Sequence, residues 1–254
     1  MRHRAVFIGS VAVLLASSVP GQVSPPQIQR DIALGQTVAK DIERRDGRID
    51  DASIGDYLQR IEKRIASAAG VKPAEVRVTR STLLSVTLLP NGVLYLSGGL
   101  LERIDSEAEL AGLLAHEMAH GPWAALPGSP LATIPLIGPS CVLSSPFVLG
   151  GTQRREPELQ ATETAVKTLK AAGYDPEAVL DLFSKLSYEQ PRWSKAIVSD
   201  DLLNLRATLD SDVPPVGGYL VDASEFRQVH EKLSVILGLN VGKPRGPAPS
   251  LSLR

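Results

Sequence analysis

The sequence predicts an α+β fold in which a mainly helical body carries a small β-sheet. Three observations lead there. Apolar residues recur at helical spacing over most of the chain. The period shortens to two only between Glu75 and Leu96. A capped segment opening at Ser106 then restores the helical period and carries two histidines on one face. The 254 residues, 43% of them hydrophobic, suffice for a substantial core. With aromatics at 4%, that core must be built of Leu, Val, Ile and Ala. A formal net charge of −1 gives no bulk attraction to polyanions, so no nucleic-acid partner is expected.

The N-terminus reads as an export signal. Arg2-His3-Arg4 precedes an apolar run, Ala5 to Ala16, that is too short for an ordinary membrane span. Cleavage after Ser18 or Gly21 is expected, placing the mature chain in the periplasm or outside the cell; an uncleaved signal anchor is the alternative. Residues 1–21 are assigned to the signal, 22–240 to one folded domain and 241–254, rich in Pro, Gly and Ser, to a disordered tail. The single cysteine, Cys141, excludes both an internal disulfide and a cysteine metal cluster.

Helices are predicted at about 27–45, ended by Asp46-Gly47, and at about 52–69, ended by Gly70. Strands follow at Glu75 to Thr79, within Leu83 to Leu89, and at Val93 to Leu96. Pro90-Asn91-Gly92 turns the chain before the last of these, suggesting a sheet edge; antiparallel pairing is expected. Gly121 to Gln153 holds no charged residue and six prolines, which forbid a continuous helix. It reads as a buried or site-covering loop, or, more sharply, as an apolar surface that captures substrate or touches a membrane peripherally. Further helices are expected from Arg154 to Ala172, from Pro176 to Tyr188, within Pro191 to Leu209, and from Ala223 to Leu237.

The chemistry sits at His116-Glu117-Met118-Ala119-His120. Histidines four residues apart on a helix lie one above the other, so both imidazoles can reach one zinc ion. Glu117 projects beside that position and can act as general base toward the attacking water. Zinc needs a third protein ligand. No histidine follows in the next turns, and His230 lies far along on an amphipathic helix. The candidates on the next helix are Glu156, Glu158 and Glu163. Tyr174 and Tyr219 are conceivable oxyanion donors, but nothing in the sequence selects either.

These segments resemble the zinc metallopeptidases that include HtpX, the CAAX prenyl proteases and the periplasmic BepA-like enzymes. Leu89-Pro90-Asn91-Gly92-Val93-Leu94-Tyr95-Leu96 followed by Gly99-Leu100-Leu101 is similar to the family's edge strand. Asp105 to His120 is similar to its capped active-site helix, and Arg155-Glu156-Pro157-Glu158-Leu159-Gln160-Ala161 to its downstream glutamate segment. Ala172-Gly173-Tyr174-Asp175-Pro176 closes that helix as in the family. The likeness spans roughly Ile28 to Leu186. It implies a zincin-like fold of the gluzincin type and one zinc ion held by His116, His120 and Glu158. It also implies polypeptide substrates, and a substrate-binding edge strand over Pro90, Gly92, Val93, Leu94, Tyr95 and Leu96 that flanks the zinc helix. Arg155 falls where a structural cation or one behind the ligands is expected.

Two positions depart from the pattern. Thr162 stands where the family places an aspartate behind a ligand histidine, which predicts weaker zinc binding or lower activity. Ser85 stands where asparagine is frequent. The function implied is a zinc-dependent metalloendopeptidase of the cell envelope. The alternatives are a zinc-binding, catalytically impaired protein that binds clients, and a structural domain with an accidental motif.

Overall fold

A computed structural model of the chain describes residues 25–120, 155–189, 199–209 and 214–239. The expected signal 1–21, the apolar stretch 121–153 and the tail 241–254 lie outside the described residues. The chain runs α1 (Pro25–Asp46), α2 (Ala52–Ala69), β1 (Glu75–Thr79), β2 (Val86–Leu88), β3 (Val93–Ser97), α3 (Gly98–Leu101), α4 (Glu107–His120), α5 (Arg155–Ala172), α6 (Ala178–Glu189), α7 (Ser199–Leu209) and α8 (Ser224–Ile236). The fold is α+β and mostly helical, as the sequence predicts.

Local signals set the helix ends. Asp51 caps α2 by accepting from the backbone N–H of Ser53 and Ile54, and Gly70 ends it in the left-handed region, φ 69°. At the start of α4, the Ser106 hydroxyl accepts from Glu109 N at 3.1 Å. The Glu109 carboxylate accepts from Asp105 N at 2.8 Å, one residue further back than a simple capping box requires.

The sheet corrects two expectations. Its strand order is β1-β3-β2, so β3 is the central strand and not an edge. It pairs in parallel with β1, Glu75 opposite Val93 and Thr79 opposite Ser97, and antiparallel with β2, Val86 opposite Leu96. The sheet is therefore mixed, where antiparallel pairing was expected. The physical reason is burial on both faces. Leu94 and Leu96 enter the main core with Val76, Val78 and Val86. Val93 and Tyr95 pack on the opposite face against Val38, Ala39 and Ile42 of α1. A continuous apolar run is what a doubly covered strand needs. The turn at Pro90 to Gly92 joins β3 to its neighbour β2, with Gly92 N donating to Leu89 O at 2.9 Å, and β2 takes the outer position.

The main core gathers α2, α4, α5 and α6 around the sheet's inner face. Two glycines allow its closest approaches. A methyl group on Gly99 would lie 2.3 Å from Thr82 O, and one on Gly112 would lie 2.7 Å from Val179 Cβ. Gly112 therefore permits α4 to lie directly on α6.

Candidate metal centre

Helix α4 carries His116 and His120 on one face, and α5, packed along it, carries Glu158. His116 Nε2 stands 3.2 Å from Glu158 Oε2. His120 Nε2 stands 3.3 Å from the same oxygen and 3.1 Å from His116 Nε2. The three side chains can offer ligand atoms that all lie within 4.8 Å of one another. His116 and Glu158 are each 1% exposed, and His120 is half-buried on the accessible side. The fold thus brings together the three residues singled out as ligands.

The donor set suits a metal ion. Two ring nitrogens facing each other at hydrogen-bond distance and sharing one carboxylate oxygen are lone pairs converging on a point. The other carboxylate oxygen, Glu158 Oε1, is buried with no hydrogen-bond partner among the described residues. An orphaned buried carboxylate oxygen is costly unless a cation satisfies it. Electrostatics point the same way. Burial holds the His116 imidazole down to about 4, so the ring is neutral at pH 7 and able to ligate. Burial alone would raise the Glu158 carboxyl, but the two imidazoles beside it hold it near 2, keeping it ionised. Two imidazoles and one carboxylate match the three protein ligands of a catalytic zinc site.

Glu117, the expected general base, is 3% exposed on the same helix. The Thr162 hydroxyl lies 3.3 Å from His116 Nδ1. Arg155 opens α5, with its side chain outside the described residues, as is that of Glu156. Glu163 is half-exposed and outside the ligand group.

The sequence left other contacts hidden. Phe183 of α6 meets the His116 ring edge-to-face, centroids 4.7 Å apart at 79°. It walls the imidazole on its apolar side and restrains its rotation. Tyr174, imagined as an oxyanion donor, instead donates to Glu107 Oε1 at 2.7 Å, while Tyr57 donates to Glu107 Oε2 at 2.9 Å. Both hydroxyls are spent on a buried carboxylate that anchors the first turn of α4. Burial and that carboxylate push both phenols above their ordinary range. No local signal marks this cluster, because its members come from α2, α4 and the end of α5.

A helix presenting His-Glu-x-x-His with a glutamate from a neighbouring helix is the donor arrangement of a metalloprotease. Comparison with known proteins agrees: residues 55–122, the stretch that carries the paired histidines, match the model of peptidase family M48. The chain is also 26% identical over 193 residues, 66% of its length, to a Vibrio cholerae protein named as a beta-barrel assembly-enhancing protease. It spans 40% of that relative's length. Among the described residues no helix is long and apolar enough to cross a membrane.

Proposed function

We propose that the protein is a zinc-dependent metalloendopeptidase exported to the cell envelope, cutting polypeptides with Glu117 as general base. The observation that carries this is the buried convergence of His116 Nε2, His120 Nε2 and Glu158 around one point, with Glu158 Oε1 left for a cation. A zinc ion there would supply Lewis-acid polarisation of the scissile carbonyl and make a water nucleophilic near pH 7. The chain's own residues do the rest. His116 and His120 stay neutral donors, Glu158 contributes the single negative charge, and Phe183 keeps the His116 ring from turning. Glu117 accepts the proton of the attacking water and returns it to the leaving amine. The signal-like residues 1–21 support export, and the relative's name, a beta-barrel assembly-enhancing protease, supports proteolysis.

The substrate strand is reassigned. With β3 paired on both sides, β2 is the sheet edge next to α4. Leu89 N and Ser85 O bond to β3, so at period two the main-chain groups of Val86 and Leu88 face outward. An extended peptide would add there.

The test is zinc content with casein cleavage, on the wild type and on Glu117→Gln. Wild-type protein should carry one zinc per chain and cut casein. Glu117→Gln should keep the zinc and lose activity by about 10²–10⁴-fold. A wild type without zinc would sink the proposal. A zinc-loaded wild type that never cuts would favour the client-binding alternative, for which the neutral Thr162 beside His116 is the motivating observation.

A further inference from the structure

We propose that Ser97 is a positioning residue for the substrate edge: its hydroxyl holds the entry of β2 in register with β3. The proposal rests on the reading above that a peptide adds to β2, and deepens it. Ser97 is the buried last residue of β3, and the chain turns directly from it into α3. In a regular antiparallel pair two facing residues exchange two main-chain bonds, each N–H donating to the other's carbonyl. Ser97 N does donate to Ser85 O, at 3.0 Å. The return bond is different: Ser85 N donates to the Ser97 hydroxyl oxygen, also at 3.0 Å. The side chain thus takes the part of a carbonyl where the ladder would otherwise stop. The same hydroxyl donates its one hydrogen to Leu83 O at 2.5 Å. It also accepts from Leu100 N at 3.2 Å, which caps α3. One donor and two lone pairs are all in use.

A strand as short as β2 is aligned by what grips its two ends. Its exit is gripped by the turn to β3, where Leu89 N donates to Val93 O and Gly92 N to Leu89 O, each at 2.9 Å. No turn joins its entry to β3. That end is held from the β3–α3 junction, by Gly99 N donating to Ser81 O at 2.9 Å and by the Ser97 bonds to Leu83 and Ser85. A slip of one residue would exchange the two faces of the strand, moving Val86 out of the core and turning the outward main-chain groups inward. Ser97 therefore fixes which groups β2 offers to a peptide. None of its bonds reaches His116, His120 or Glu158, so its loss should weaken peptide capture and spare the chemical step.

The measurement is steady-state cleavage of an unstructured casein-derived peptide by the zinc-loaded full chain, together with amide hydrogen exchange. The wild type, Ser97→Ala and Ser97→Thr are compared. Ser97→Ala should raise KM about 2- to 10-fold, the equivalent of about one net hydrogen bond, with kcat and zinc content near wild type. Its Ser85 amide should exchange faster while that of Leu89 does not change. Ser97→Thr, which keeps the hydroxyl, should stay close to wild type. An unchanged KM in Ser97→Ala, or a lower kcat at unchanged KM from a smaller active fraction, would overturn the inference and leave the metalloprotease reading standing. A zinc-loaded wild type that cuts no peptide would instead overturn that reading, and the Ser85 amide alone then decides whether Ser97 holds β2: unchanged exchange sinks it. Should Ser97→Ala fail to fold, as judged by far-UV circular dichroism without metal, Ser97→Cys gives the same decision, since a thiol of similar size is only a weak donor and acceptor.

Discussion

Substituting Gly112 by alanine should destabilise the protein, although alanine is the better helix former. The added methyl would sit 2.7 Å from Val179 Cβ, 3.1 Å from Val179 Cα and 3.3 Å from Val179 Cγ2. Two of these atoms belong to the stem of α6, so no change of rotamer relieves them. Carbon atoms in contact settle at about 3.5–4.0 Å, so α4 and α6 must part by about 1 Å. Overpacking of this kind costs about 1–3 kcal/mol, against a propensity gain of about 1 kcal/mol. The net expectation is a loss of up to about 2 kcal/mol. Urea unfolding at 25 °C, followed by far-UV circular dichroism on metal-free protein, reads this as a lower midpoint at unchanged slope. Val179→Gly in both backgrounds should show favourable coupling of about 1 kcal/mol, because it removes the nearest of the three atoms. An alanine variant more stable than wild type, or additive effects in the cycle, would refute the close-contact argument. The displacement also bears on the site. Gly112 lies one turn before His116, and Val179 one turn before Phe183, so the same wedge strains the His116–Phe183 contact.

Two further outcomes concern buried carboxylates. Tyr174→Phe leaves the Glu107 carboxylate short of one of its two phenolic donors, which should cost about 1.5–3 kcal/mol in urea unfolding; an unchanged midpoint would show that the bond contributes nothing net. Glu62, fully buried and accepting from Ala74 N at 2.5 Å, has its carboxyl raised by burial above the ordinary 4.5. Its folded state thus holds the proton more tightly than the unfolded state. Stability falls as pH rises from the ordinary glutamate range through that raised value. Glu62→Gln, which keeps an acceptor for Ala74, should gain on wild type between pH 4.5 and 7.5; a difference that is the same at both pH values would contradict this.

Much of the helical scaffold was legible because its signals are local. Asp51, Gly70, Ser106 and Gly173 each act within a turn of the backbone they terminate or cap. His116 and His120 were legible for the same reason, since helix geometry alone stacks them. Glu158 was one of three candidates on sequence grounds, narrowed by family resemblance, and the fold brings it to the histidines. What stayed hidden depends on partners far along the chain. The parallel pairing of β1 with β3 skips over β2, so a turn at Pro90 to Gly92 could not reveal which strand lies outside. The residues Val93 to Leu96 did carry a clue in their unbroken apolarity, which an edge strand does not need. Gly112 gave no hint of Val179, and Glu107, whose phenolic partners stand 50 and 67 positions away, read as a first-turn acid and nothing more.

The outer strand β2 is three residues long. Two residues, Val86 and Leu88, present main-chain groups outward, enough for about four hydrogen bonds at about 0.5–1.5 kcal/mol each. Association costs about 4–15 kcal/mol before any contact is made. An edge this short therefore cannot hold a peptide by itself, and its bonds carry no information about side chains. It can retain only a segment that arrives extended and without strand neighbours of its own. In the proposed enzyme, the brevity of β2 is a filter on conformational state: natively paired strands have no groups left to offer it, and loose polypeptide does.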